Sequence, residues 1–134
     1  MTIACWNTRF LTGIGIIDAQ HESLFQAVNV LADAVKADNA SPRVRKALEE
    51  LVQLSLDHFQ TEEQFMHESG YPRLATHLEE HQELIVKLED LKTKHKQGGL
   101  VSADVTFFFA DWFAHHINEV DMGNGTTPAW SPEA

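Results

Sequence analysis

The chain has 134 residues, of which 43% are hydrophobic and 22% are charged, and its formal net charge is −10. This length suits a single domain with one core, and the acidic balance argues against nucleic acid, whose binding proteins need a basic face. No apolar run approaches the roughly 20 residues of a membrane-spanning helix, and the N-terminus does not read as a signal peptide, so we expect a cytoplasmic domain with no membrane span.

The N-terminal residues 1–17 show no helical period. They are nevertheless apolar, with Trp6 as a large side chain, and glycines at positions 13 and 15 argue against a helix. We predict an ordered, extended arm that packs on the body of the domain and is anchored by Trp6. Asp18 is a favourable N-cap and apolar residues then recur at helical period, so the first helix is predicted from Asp18 to Ala37.

The second helix is predicted from Pro42 to Glu68. Ser41 is its expected N-cap, Pro42 takes the first helical position, and Gly70 is the expected left-handed residue beyond its end. The inward stripe of this helix is apolar in its first half. In its second half the same stripe carries an imidazole and a carboxylate, at His58 and Glu62.

The third helix is predicted from Pro72 to Lys96 and contains two histidines, His77 and His81, four residues apart. This spacing places both imidazoles on one face of the helix, where they can reach one metal ion. Leucines at positions 74, 78, 84, 88 and 91 keep the same phase, so the pair should lie on or beside a buried stripe. The fourth helix is predicted from Ser102 to Val120 and carries His116 on its inward stripe.

Four helices joined by short connections predict an all-α, up-down-up-down four-helix bundle. We interpret the chain as one domain, in which residues 1–17 form the arm, 18–121 the bundle and 122–134 a C-terminal tail.

Each helix places histidine or carboxylate side chains where leucine would normally pack. Uncompensated, such a group costs on the order of several kcal/mol, whereas a metal satisfies both the lone pairs and the charge. The candidate ligands are His21, His58, Glu62, His77, His81, His116 and Asp121. They are too many for one ion, and their mixed nitrogen and oxygen chemistry suits two bridged iron ions. The other histidines, His67, His95 and His115, are interpreted as solvated or structural.

At this point the sequence resembles the hemerythrin family, and bacteriohemerythrins in particular. The matching pieces are Trp6, Gly13-Ile14, Ile17-Asp18, Gln20-His21, Leu24, His58-Phe59, Glu62-Glu63, Met66, Gly70-Tyr71-Pro72, His77, His81, Trp112, His116-Ile117 and Asp121. The resemblance implies a non-haem di-iron centre that binds O2 reversibly, as a carrier, store or delivery protein rather than an enzyme. An O2-consuming acceptor protein would be its partner.

The resemblance also implies a role for each ligand. His77, His81 and His116 would hold one iron and His21 and His58 the other, with Glu62, Asp121 and an oxo or hydroxo group as bridges. O2 would bind at the iron with two histidines, in a pocket with apolar walls formed by Leu24, Phe59, Trp112, Phe113 and Ile117. The sequence departs from the family at Phe113, where leucine is common, and after Asp121.

Three other functions fit parts of the pattern. His77 to His81 also matches a zinc-peptidase pattern, His-x-x-Glu-His, in which Glu80 would be the base, but this leaves the ligands of the other three helices unexplained. A ferritin-like oxidase would use Glu-x-x-His pairs, which the sequence lacks. An O2 or redox sensor, or an iron store, could use the same ligands as a carrier, and these functions stay open.

Overall fold

The computed structural model describes residues 3, 4, 6 and 14–117. In these ranges the chain forms no β-strand and four α-helices, namely α1 (Gly15–Ala37), α2 (Pro42–Ser69), α3 (Leu74–Lys96) and α4 (Ala103–His115). A π-helical turn at 116–117 continues α4. Short connections join the helices, and α1 packs against α2 and α4, while α2 also packs against α3. The predicted all-α four-helix bundle is confirmed.

Within the described ranges, no helix combines the length and the apolar character needed to cross a membrane. The predicted end of the fourth helix at Val120 lies outside these ranges, as do Asp121, the tail 122–134 and most of the N-terminal arm.

Two helices begin more than one residue away from their predicted starts. α1 begins at Gly15 instead of Asp18, because the Asp18 N–H already donates to the Ile14 carbonyl, at 2.9 Å, inside the first helical turn. Residues 15–17 therefore belong to α1 and not to the arm. α3 begins at Leu74 instead of Pro72, because the preceding residues form a turn in which the Leu74 N–H donates to the Tyr71 carbonyl at 3.3 Å.

The ends of α2 follow the prediction. Ser41 is the N-cap residue and Pro42 opens the helix, although the Ser41 side chain accepts no capping hydrogen bond. Gly70 ends the helix in the left-handed conformation, with φ of 67°. The Tyr71 N–H then donates to the Met66 carbonyl at 3.0 Å, which satisfies one of the last helical acceptors. This turn reverses the direction of the chain, so that α3 packs against α2.

The buried face of α3 differs in one position from the predicted stripe. His77, His81, Leu84 and Leu88 are buried, but Leu78 is 41% exposed. Successive residues of a helix are separated by roughly 100° around its axis. Because His77 points into the bundle, the next residue is directed towards solvent.

The described part of the N-terminal arm lies against the bundle. Asn29 of α1 accepts hydrogen bonds from the backbone N–H groups of Ile3 and Ala4, both at 2.8 Å, and donates to the Ala4 carbonyl at 2.8 Å. Trp6 is partly buried and packs against the main hydrophobic core. The arm is thus ordered at these residues, as predicted, and Asn29 holds it by a contact that the sequence pattern did not indicate.

Candidate metal centre

Six of the seven predicted ligands meet in the interior of the bundle, and each of them is at most 2% exposed. They are His21 of α1, His58 and Glu62 of α2, His77 and His81 of α3, and His116 in the π-helical turn after α4. Turns of this kind often occur at functional sites. The seventh predicted ligand, Asp121, lies outside the described residues.

One oxygen of the Glu62 carboxylate faces a pair of histidines from α1 and α2. Glu62 Oε2 lies 2.9 Å from His58 Nε2 and 4.0 Å from His21 Nε2. The two Nε2 atoms of this pair are 3.1 Å apart. The three groups therefore form a compact set of donor atoms around one side of the carboxylate.

The other oxygen of Glu62 faces a triad of histidines from α3 and the end of α4. Glu62 Oε1 lies 3.3 Å from the Nε2 atoms of both His81 and His116, and 4.0 Å from His77 Nε2. The Nε2 atoms of His81 and His116 are 3.1 Å apart. One buried carboxylate thus separates two groups of imidazole nitrogens, and it is shared by two candidate cation sites.

Two of the predicted ligands, His58 and His81, make a hydrogen bond through Nδ1 on the side away from the centre. His58 Nδ1 lies 2.9 Å from Gln20 Oε1, and His81 Nδ1 lies 2.8 Å from Glu63 Oε2. An amide or carboxylate oxygen only accepts, so Nδ1 of each ring is the donor in these contacts. The Nε2 atoms of His58 and His81 face the centre, and an imidazole that donates from Nδ1 in this way is oriented to bind a metal through Nε2.

Burial and hydrogen bonds shift the pKa values of three groups in this site. Burial lowers the pKa of the His77 imidazole to about 4. Burial, and to a smaller extent the positive charge that His58 can carry, holds the pKa of His21 well below its usual value. Burial alone would raise the pKa of the Glu62 carboxyl, but its hydrogen bonds with His116 and His58 outweigh that effect and hold this pKa well below its usual range. Imidazoles that resist protonation, such as those of His21 and His77, beside a carboxylate anion are a fitting donor set for metal cations.

Aromatic rings hold two of the triad histidines in place. Phe59 stacks on the His81 ring with centroids 3.9 Å apart and planes 6° apart. Trp112 stacks on the His116 ring with centroids 4.7 Å apart and planes 13° apart. The other residues predicted for the O2 pocket are each 1% exposed and lie in the adjoining hydrophobic core; they are Leu24, Phe113 and Ile117.

The histidines left out of the ligand set lie elsewhere, as predicted. His67 and His115 are exposed. His95 is buried near the far end of α3, where its Nε2 lies 3.2 Å from the Asn39 carbonyl oxygen. It is a structural histidine that connects α3 to the turn between α1 and α2.

Glu80, the base of the alternative zinc-peptidase interpretation, lies on the outer side of the centre. Its Oε2 is 3.7 Å from His116 Nδ1, the nitrogen that points away from Glu62, and this contact lowers the pKa of the Glu80 carboxyl. A peptidase base has to reach a water on the metal itself. Behind a ligand, Glu80 is badly placed for that role.

Two residues that contact the ligands received no role from the sequence. Gln20 and Glu63 are part of the hemerythrin-like pattern, but nothing in their spacing indicated that they hydrogen-bond His58 and His81. Both contacts connect different helices, α1 with α2 and α2 with α3. The one available signal was their position next to the candidate ligands His21 and Glu62.

Comparison with known proteins agrees with this geometry. The family model described as the hemerythrin HHE cation binding domain matches residues 12–123. The chain belongs to the hemerythrin family. A bacteriohemerythrin from Methylococcus capsulatus is 36% identical over 123 residues, which cover 90% of this chain and 93% of that protein. A hemerythrin from Themiste dyscrita is 31% identical over 118 residues, covering 88% of each chain.

Solved structures show the same family fold. The crystal structure of a wild-type hemerythrin is 35% identical to this chain, and it superposes with a TM-score of 0.80 over 87% of this chain and 90% of its own. The hemerythrin resemblance found in the sequence is therefore confirmed over most of the chain.

Proposed function

We propose that this member of the hemerythrin family binds O2 reversibly at a non-haem di-iron centre. The observation that carries the proposal is the position of Glu62, a fully buried carboxylate whose two oxygens face two separate groups of imidazole nitrogens. A single ion would use one such group. Two groups that share a carboxylate fit two ions with Glu62 as the bridge.

The two irons would differ in their protein ligands. His77, His81 and His116 would hold one, and His21 and His58 would hold the other. Glu62 and Asp121 would bridge them together with an oxo or hydroxo group. The assignment of Asp121 is supported by the family match, which extends to residue 123. Fewer histidines leave one coordination position of the second iron available for O2.

When bound, a diferrous pair supplies the two electrons needed to hold O2 reversibly. The residues of the chain would supply the charge, the orientation of the ligands and the exclusion of water. Glu62 brings negative charge into a site without solvent, while Phe59 and Trp112 fix the planes of two ligand rings by stacking. The apolar side chains of Leu24, Phe113 and Ile117 exclude water, and the shell around a metal controls solvent access and redox behaviour.

Other roles of the same centre have less support. No feature of the described residues favours a sensor or an iron store over an O2 carrier. A carrier role implies an acceptor protein that consumes O2, and this partner stays a prediction.

The test starts from metal analysis of the purified protein, which should give two irons per chain. The reduced protein, exposed to O2, should develop a visible absorption band that disappears when O2 is removed. His77→Ala should lose iron and the band, whereas His67→Ala, which removes an exposed histidine of α2, should keep both. One zinc per chain with peptidase activity, or iron that oxidises without a reversible band, would overturn the proposal.

A further inference from the structure

The ligands of the two histidine groups differ in the residues behind them. In the triad, His81 Nδ1 donates to a carboxylate, Glu63 Oε2, at 2.8 Å. In the pair, His58 Nδ1 donates to a carboxamide, Gln20 Oε1, at 2.9 Å. The two hydrogen bonds are similar in length, so each one orients its ring. Their acceptor groups, a carboxylate and a carboxamide, differ by one negative charge.

Glu63 lies at the edge of the centre, between a predicted ligand and solvent. It extends from α2 across to α3, and its side chain is 31% exposed. It borders a groove of about 350 Å³ between these helices, together with Phe59, His81 and more distant side chains of both helices. The carboxylate therefore has access to solvent through the groove, while the imidazole that it contacts is 2% exposed. A second carboxylate, Glu80, lies 3.7 Å from His116 Nδ1 in the same triad.

Gln20 is held in the opposite manner, as a neutral acceptor. Its Nε2 donates to Thr61 Oγ1 at 3.1 Å, and the Thr61 hydroxyl donates to the Asp57 carbonyl at 3.0 Å. This chain of hydrogen bonds fixes the amide with its oxygen towards His58. The pair therefore receives a well-oriented ligand without additional negative charge.

We propose that Glu63 is a positioning residue that makes the centre electronically asymmetric. A carboxylate behind a ligand imidazole raises the basicity of the ring and so stabilises a higher charge on the metal, whereas an amide mainly orients the ring. Glu63 thereby lowers the reduction potential of the iron held by His77, His81 and His116, and Gln20 leaves the potential of the other iron higher. This inference rests on the proposed di-iron function.

The asymmetry can be tested by removing the negative charge behind His81, at Glu63, and by adding one behind His58, at Gln20. Glu63→Gln keeps an acceptor oxygen but removes the charge, and it should raise the midpoint potential of the iron centre, measured by spectroelectrochemical titration. Its iron should also be removed more easily by a competing Fe(II) chelator, by about 10-fold in affinity. Gln20→Glu adds the charge behind His58 and should lower the midpoint potential.

Glu79→Gln is the matched control, because it removes the same charge from an exposed residue of α3. It should leave both potential and iron affinity near those of the wild type. The metal-free forms of Glu63→Gln and wild type should unfold at similar temperatures, which separates the electronic effect from a loss of structure.

The possible results divide clearly. A midpoint potential of Glu63→Gln equal to that of Glu79→Gln, or shifts of the same sign in Glu63→Gln and Gln20→Glu, would overturn the inference. If Glu63→Gln loses its iron altogether, the test depends on Gln20→Glu alone. A midpoint potential of Gln20→Glu equal to or higher than that of the wild type would then contradict the proposal. Failure of the wild type to hold two irons would instead refute the proposed function.

Discussion

At the scale of single residues, Glu62 is the side chain on which the centre depends. It is the residue of α2 whose two oxygens contact both histidine groups, and it has no exposed surface. The histidines divide into a pair and a triad because each group contacts a different oxygen. Removing Glu62 should therefore affect both groups, whereas removing a histidine should affect chiefly its own.

We expect Glu62→Ala to lose both irons, because neither group would keep its shared anionic ligand. His21→Ala should chiefly weaken the two-histidine iron and leave close to one iron per chain. Iron per chain, measured after equilibration with a chelator, distinguishes these results. Glu68→Ala, at an exposed position of the same helix, serves as the control and should keep two irons. If Glu62→Ala kept two irons at unchanged affinity, its bridging role would be wrong.

Ile117 should control how long the oxygenated form lasts. It is 1% exposed and directly follows His116, a predicted ligand. Ile117→Gln introduces a polar group into the apolar wall, which admits water and protons, so the oxygenated form should decay faster while both irons stay bound. Trp112→Phe keeps the wall apolar and should have a smaller effect. The loss of the visible band after oxygenation measures this, and equal decay in Ile117→Gln and wild type would show that Ile117 does not guard the site.

At the scale of elements, the turn between α2 and α3 connects the two helices that carry most of the predicted ligands. Gly70 ends α2 with φ of 67°, a conformation that side chains other than glycine seldom adopt. A Cβ at this position would meet no atom within 4 Å. The requirement for glycine is therefore a matter of backbone conformation and not of space.

Gly70→Ala should lower the free energy of unfolding by about 1 kcal/mol, the usual cost of placing alanine in the left-handed region. Gly15→Ala is the matched control, since Gly15 opens α1, has no positive φ and also has open space around it. That substitution should be neutral or stabilising. Chemical denaturation of the metal-free proteins measures both effects, and equal unfolding free energies for the two variants would contradict the conformational argument.

At the scale of the whole molecule, the polar interior makes stability depend on pH and on metal. The metal-free protein buries several imidazoles around one carboxylate, and metal binding should stabilise the fold because the unfolded chain has no such site. Without metal, the buried side chains of His21 and His77 resist protonation, whereas the unfolded chain protonates them near the ordinary pKa of 6.5.

The metal-free protein should consequently lose stability as the pH falls from about 6.5 towards 4. The folded pKa of His77 is lowered to about 4, so the unfolded state binds more protons in this interval and stability rises with pH. For His77 alone the loss is about 3 kcal/mol at most. Urea denaturation at several pH values measures it. His77→Asn should flatten the dependence, whereas exposed His67→Asn should not, and identical slopes in all three proteins would contradict this origin.

Much of this molecule follows from sequence alone, because the information involved is local. Helical periodicity places His58 with Glu62, and His77 with His81, on one face within a single turn. Proline and glycine at the ends of α2 act through backbone conformation, again within a few residues. The four helices and the positions of the predicted ligands on each described helix were therefore predictable, and so was the separation of His67, His95 and His115 from these residues.

Only the tertiary structure decided which groups from different helices meet. The rotation and axial offset of neighbouring helices depend on packing along their whole length, and no short spacing encodes them. This is why the contact of Glu63 with His81, that of Gln20 with His58 and the Asn29 attachment of the arm became visible in the folded chain alone. The same packing directs Leu78 outwards, since the inward face of α3 is occupied by His77 and His81.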